Sequence, residues 1–265
     1  LWDMATGEQI GEPLLGHTDK TTFLIFSLDG TTLFSASHDA TIRRWDVETG
    51  RPIGEPLTGH SGQVTGVDLS PDGRTLATPS GDGTARLWNA MTGEPIGEPF
   101  SGHPRGAAGV DFSPDGTILA VGSFGGVILL WDVEAHRLVG EPLDAGGLRV
   151  WDLSFSPDGQ VLSAACEDGM LRLWDVATGL PIGPPLNSQY AATFGVAFSP
   201  DGSILTTSGK GVGTTGTVRF WDMDPEAWRA RACTIAGRNL TQTEWDRYLP
   251  DVPYVATCKQ WPAGK

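Results

Sequence analysis

Three histidines stand 43 residues apart, His17, His60 and His103, and each follows a glycine. An aspartate follows the first two at a constant distance of 22 residues, Asp39 and Asp82, with serines and threonines between. Histidine, carboxylate and hydroxyl together could build a general base with its nucleophile, and histidine with carboxylates could hold a metal. The spacing argues against both. A residue that recurs at a fixed interval serves a recurring structural unit, and histidines one unit apart lie too far from one another to share an ion. The carboxylates Asp46, Asp72, Asp132 and Asp175 recur in the same way. No GxxxxGK[ST], GxSxG, HExxH or EF-hand loop is present. The three cysteines, Cys166, Cys233 and Cys258, form no CxxC pair. Cys233 and Cys258 pair only if the end of the chain brings them together. Neither cofactor nor metal is expected, nor catalysis, and a reduced, cytoplasmic setting is.

The positioning elements are legible as a repeat. Trp-Asp pairs end strand-like runs at Trp2, Trp45, Trp131, Trp174 and Trp221, with Trp88-Asn89 in the remaining place; the tryptophans are 43, 43, 43, 43 and 47 residues apart. Ser-Pro-Asp-Gly turns recur in step at Ser70–Gly73, Ser113–Gly116, Ser156–Gly159 and Ser199–Gly202, with Ser27-Leu28-Asp29-Gly30 as a variant. Each period parses into four short strands; in the second these are Val64–Leu69, Arg74–Ser80, Thr84–Trp88 and an outer strand Pro95–Phe100. Proline in the last fits an edge, where a missing donor is tolerable. Apolar residues recur at Leu24, Val67, Val110, Leu153 and Val196, and again at Phe26, Leu69, Phe112, Phe155 and Phe198, which predicts packed layers between units.

Two markers in phase over five periods, one Gly-His and one Trp-Asp, resemble the WD-repeat (WD40) family over about residues 1–222. The resemblance implies an all-β propeller of five blades over 1–223. It also implies a buried relay of His, Ser/Thr, Asp and Trp. His17, Asp39 and Trp45 fit it with Ser35 or Ser37, and His60, Asp82 and Trp88 with Thr78 or Ser80. Later repeats depart: Gly125 stands where aspartate is expected, Gly146 and Gln189 where histidine is, and Cys166 in the hydroxyl strand. Gly209–Gly216 carries a four-residue insertion. Packing is expected to hold those blades more than the relay.

Residues 224–265 lose the period and read as a helical tail packed on the propeller. Asp224-Pro225-Glu226 looks like a helix start running to about Ala236, and Thr241–Glu244 like a capping box opening a second helix that Pro250 ends. The string from Ala232 to Cys258 resembles the ending of large bacterial, especially actinobacterial, WD-repeat proteins, which often carry an upstream NTPase module of the NACHT/STAND type. That resemblance covers about 27 residues. It implies a propeller that senses a partner while another module acts. The chain opens within a motif, at Leu1-Trp2-Asp3, so it is expected to be a piece of a longer polypeptide. A first outer strand is expected near Glu8–Leu14. Closure into a five-blade ring through that strand is one arrangement; additional upstream blades are the preferred one.

The formal charge is −14, and residues 1–223 carry 12 basic against 27 acidic side chains. Such a surface disfavours nucleic acid and suits a protein or peptide, a basic one above all, although acidity that only maintains solubility is an equal reading. No apolar run is long enough for a membrane helix. Candidate contact residues are those that break the repeat without serving the core. The place before the turn aspartate holds His38, Gly81, Phe124 and Glu167. Three residues beyond each Gly-His histidine lie Lys20, Gln63, Gly106, Arg149 and Ala192, and two further on Thr22, Thr65, Ala108, Trp151 and Phe194. Trp151, Phe124 and Arg149 are of the types that dominate binding hot spots, and Phe194, His38, Glu167 and Lys20 complete the set. The competing reading is that Trp151 and Phe194 only fill space near a central channel. An enzymatic or small-ligand propeller working at the channel mouth is the alternative function.

Overall fold

The computed structural model describes residues 1–211, 216–224, 239, 241 and 242. Five antiparallel sheets follow one another along the chain. Blade 1 holds β1 (Thr21–Phe26), β2 (Thr32–Ser37) and β3 (Ile42–Asp46). Blade 2 holds β4 (Asp68–Leu69), β5 (Thr75–Pro79), β6 (Ala85–Asn89) and β7 (Pro95–Phe100). Blade 3 holds β8 (Ala107–Phe112), β9 (Ile118–Ser123), β10 (Val127–Asp132) and two short outer pieces, β11 (Arg137–Leu138) and β12 (Leu143–Asp144). Blade 4 holds β13 (Val150–Phe155), β14 (Val161–Cys166), β15 (Met170–Asp175) and β16 (Leu186–Asn187). Blade 5 holds β17 (Ala192–Phe198), β18 (Ile204–Lys210) and β19 (Gly216–Asp222). The architecture is an all-β, five-blade propeller.

The repeat fixes the register. In every blade the marker tryptophan of the third strand faces a leucine of the second: Trp45 and Leu33, Trp88 and Leu76, Trp131 and Leu119, Trp174 and Leu162, Trp221 and Leu205. The Ser-Pro-Asp-Gly turns lock themselves. Ser70 Oγ donates to Asp72 Oδ1 at 2.6 Å, which also accepts the Arg74 N–H at 3.0 Å. Gly73 sits at φ +73°, where a side chain would be strained. These turns lie at one end of the blades. The turns between second and third strands, and the entries to the innermost strands, lie at the other end, the upper face.

Neighbouring blades pack through the two apolar layers and are also stitched by hydrogen bonds. Thr22 Oγ1 donates to Val64 O at 3.0 Å and Thr65 Oγ1 to Ala107 O at 2.9 Å. Carboxylates on the innermost strands accept N–H groups of the next blade: Asp68 from Phe112 at 2.8 Å, Asp111 from Phe155 at 2.6 Å, Asp152 from Val196 at 3.0 Å. The layers are uncovered at the two ends of the series. Leu24 is 61% exposed where Val67 is 8%, and Val218 is 61% exposed where Leu171 is fully buried.

The outer strand expected near Glu8–Leu14 does not form. Of its pairing only the start is made, a bridge between Trp2 and Gln9 with a hydrogen bond from Ile10 N to Leu1 O, as Trp45 and Trp174 bridge to Pro52 and Pro181. Blade 2 alone has a continuous six-residue outer strand, β7, and it forms with Pro95 and Pro99 in it, as an edge strand can. The helices expected after Asp224, and the Cys233 and Cys258 question, lie outside the described residues.

Candidate functional site

The histidines and aspartates that could have been catalytic are bound into blade interiors. His17 Nδ1 lies 2.9 Å from Asp39 Oδ2, and its Nε2 lies 2.8 Å from Ser35 Oγ. The Trp45 indole N–H donates to the same Ser35 Oγ at 2.8 Å. With a neutral imidazole one proton arrangement satisfies every atom: indole N–H to serine, serine O–H to Nε2, Nδ1–H to carboxylate. Enclosure alone would raise the Asp39 carboxyl, but hydrogen bonds from Thr41, Thr18 and His17 outweigh it and hold it far below the usual range. Blade 2 repeats the set. His60 lies 3.2 Å from Asp82 and 2.9 Å from Thr78 Oγ1, which accepts the Trp88 N–H at 2.8 Å. Burial lowers the His60 pKa against the pull of Asp82, in keeping with a neutral ring. None of these groups is free to act on a substrate.

Blade 3 follows the packing expectation. The His103 ring keeps one hydrogen bond, to Gly83 O at 3.2 Å, while its Nε2 and the Trp131 Nε1 are enclosed with no hydrogen bond. Desolvation pushes the His103 pKa down to about 4. Phe100 packs on Trp131 with ring centres 4.9 Å apart. Blades 4 and 5 depart from the packing expectation, because arginines take over the missing histidines' work. Gly146 leaves space that the Arg172 guanidinium fills, and Arg172 grips both oxygens of Asp168 at 3.1 and 2.6 Å. Enclosure would raise the Asp168 carboxyl, yet Arg172 holds it lowered. In blade 5, Arg219 donates to Gln189 Oε1 at 2.8 Å and Asn187 O at 3.1 Å, and Trp221 donates to Thr207 at 3.0 Å. Cys166 is buried and its thiol is pushed up to about 11 by desolvation, which leaves it unreactive.

On the upper face one backbone hydrogen bond recurs and joins two of the candidate positions in each of four blades. His38 N donates to Lys20 O, Gly81 N to Gln63 O, Phe124 N to Gly106 O, and Glu167 N to Arg149 O, all at 2.8–2.9 Å. The third candidate position sits at an irregularity of the innermost strand. Pairing shifts between Thr21 and Phe23, Val150 and Asp152, and Thr193 and Gly195. Thr22, Trp151 and Phe194 therefore have no cross-strand partner, and a bulge of this kind re-aims a side chain.

These local devices converge over blades 3 to 5. The Arg149 guanidinium carbon lies 3.8 Å from the centre of the Phe124 ring and 3.6 Å from that of Trp151. Trp151 meets Phe194 edge-on, ring centres 5.2 Å apart at 85°. The result is a row from the β9–β10 turn of blade 3 across β13 to β17. Phe194 is 42% exposed; Phe124, Arg149 and Trp151 are half-buried. Desolvation lowers the Arg149 pKa, and the Glu167 carboxylate acts on it in the opposite direction. His38 and Lys20 occupy the matching positions on blade 1, joined to each other but without a contact to the row. Clefts between successive Ser-Pro-Asp-Gly turns, such as that between Pro114 and Pro157, recur from blade to blade and belong to the architecture. Among the described residues no three His, Cys, Asp or Glu side chains converge as a metal would require, and no helix is long and apolar enough to cross a membrane.

Five consecutive antiparallel sheets, each with a marker tryptophan on its third strand, define a propeller of the kind that typically serves as a protein-interaction scaffold. The WD domain, G-beta repeat, matches residues 7–46, 50–89, 93–132, 140–175 and 188–222, and the chain belongs to that family. A comparison with curated proteins gives no match.

Proposed function

We propose that this propeller is a partner-binding platform with no catalysis of its own, and that its contact surface is the row Phe124, Arg149, Trp151 and Phe194 with Glu167 at its rim. The carrying observation is the guanidinium enclosed between two aromatic rings on an otherwise solvent-facing end of the blades. Arg and Trp held rigidly lose little conformational freedom on association, which is why such residues dominate interface energetics. The repeat needs none of them, since Thr22 and Thr65 serve the same strand position by stitching backbones. His38 and Lys20 form a second, smaller contact area on blade 1.

The partner is a protein or peptide, and the charge of −14 steers basic surfaces toward the chain and nucleic acid away from it. The resemblance of residues 232–258 to the ends of bacterial multidomain proteins supports a sensing role in cytoplasmic signalling. A small-ligand site at the channel mouth is less well supported, because the innermost-strand carboxylates Asp68, Asp111 and Asp152 are engaged in accepting backbone N–H groups from the next blade. Peptides selected on the wild-type protein from a random phage library test the reading. Alanine at both Trp151 and Phe124, with circular dichroism unchanged, should abolish binding of the selected peptides in fluorescence anisotropy; undiminished binding refutes the site.

A further inference from the structure

Among the described arginines, Arg149 is the one with an aromatic ring on each face of its guanidinium. Both faces are occupied, so a ligand can approach only along the edge. At that edge the described residues supply no acceptor. Nε is enclosed without a hydrogen bond. The ion pairs among the described residues are His17–Asp39, His60–Asp82, Arg137–Asp132 and Arg172–Asp168, and none involves Arg149. Glu167 influences it through space without closing to contact. The third-strand arginines of blades 4 and 5, by contrast, are satisfied internally, Arg172 by both oxygens of Asp168 and Arg219 by Asn187 O and Gln189 Oε1. Arg149 is thus a half-buried cation, stacked in place, whose two terminal nitrogens have no acceptor among the described residues.

We infer that the partner places a carboxylate end-on across the two terminal nitrogens of Arg149, as a Glu or Asp side chain or as a free C-terminus. The inference rests on the platform reading above and names the chemistry of its central contact. A planar guanidinium fork matches a carboxylate in two parallel hydrogen bonds, and the flanking rings hold the fork in place before the ligand arrives. A singly charged group suits the site better than phosphate, because Glu167 lies nearby and the chain as a whole is strongly acidic. Basic residues elsewhere on the partner would then meet the acidic surround.

The test uses three capped probes, Ac-Gly-Glu-Gly-amide, Ac-Gly-Gly-Gly with a free C-terminus, and Ac-Gly-Gly-Gly-amide, and reads the Arg149 Nε–H and Trp151 indole resonances of the whole chain. The carboxylate probes should shift both resonances saturably, with a dissociation constant of about 1–10 mM for a single charge-assisted fork, and the amide probe should not. Which of the two carboxylate probes saturates identifies the source, and equal saturation assigns the group irrespective of source. Arg149→Lys, with its amide spectrum otherwise retained, should weaken binding at least about fivefold, since it keeps the charge and loses the fork. Glu167→Gln should tighten it severalfold. Linear, unsaturating shifts that are the same in wild type and Arg149→Lys overturn the inference, as does tighter saturation by inorganic phosphate than by either carboxylate. If the carboxylate probes fail while the Trp151 and Phe124 double variant still loses the selected peptides, the platform stands and the carboxylate falls. If the double variant also binds those peptides normally, the platform falls with it.

Discussion

Replacing Asp152 with asparagine asks what an enclosed carboxylate contributes to a blade junction. Asp152 accepts the Val196 N–H at 3.0 Å from the next blade, and burial pushes its pKa from 3.8 up to about 7, with Asp68 adding through space. A native value above the unfolded one means that folding takes up a proton between those two pH values. This carboxyl's contribution is therefore most favourable below about pH 3.8 and falls as pH rises toward 7, where the ionised form becomes a net cost. At ~1.4 kcal/mol per unit, the full span is ~4 kcal/mol, and the part lying between pH 5 and 8 is about 2–3 kcal/mol. Asparagine keeps an acceptor for Val196 and removes the charge. Its amide hydrogens bring a desolvation cost that does not vary with pH, so the comparison rests on the slope. Urea unfolding of wild type and Asp152→Asn at pH 5 and pH 8 should show the variant gaining about 2–3 kcal/mol on the wild type between the two. A difference independent of pH, or one that moves the other way, refutes the reasoning.

Two further outcomes concern the blade interiors. Thr78→Val leaves the Trp88 N–H and the His60 Nε2 without their shared hydroxyl; denaturant unfolding should show a loss of about 2–3 kcal/mol. Arg172→Met strands Asp168, whose side chain is 22% exposed. Discounted for that exposure, the loss at pH 7 should be about 1–3 kcal/mol. Asp168 is held below its ordinary pKa, so the stabilisation exists above that value and disappears as pH falls; wild type and variant should converge in acid.

Trp-Asp and Ser-Pro-Asp-Gly spacing made the blade count and strand order readable, because each marker occupies one rigid turn or one buried slot. The relay partners of blades 1 and 2 were readable for the same reason. Replacement of the histidines by Arg172 and Arg219 was not, since the same strand position holds Arg43 and Arg86 in blades whose histidine is present. Arg43 and Arg86 also lie against glycines, Gly16 and Gly59, so what sets Arg172 and Arg219 apart is their acceptors, Asp168 and Gln189, which only the folded geometry shows. Phe124, Arg149 and Trp151 stood out singly as residues foreign to the repeat, but their stacking depends on how a turn of one blade meets the strand entry of the next. The raised pKa values of Asp68, Asp111 and Asp152 had no signal in the sequence, because a carboxylate beside a buried apolar slot reads as an outward-facing residue.

The marker tryptophans share a slot yet differ in what their indole N–H groups meet. Trp45 donates to Ser35, Trp88 to Thr78 and Trp221 to Thr207, whereas that of Trp131 is enclosed without an acceptor. One chromophore therefore sits at the centre of each of these blades in a chemically distinct environment. Their side-chain protons should resonate apart and exchange with deuterium at rates set by the opening of their own blade. In a molecule of near-identical units, that gives every such unit its own clock, and local loosening at one junction can be timed separately from the rest.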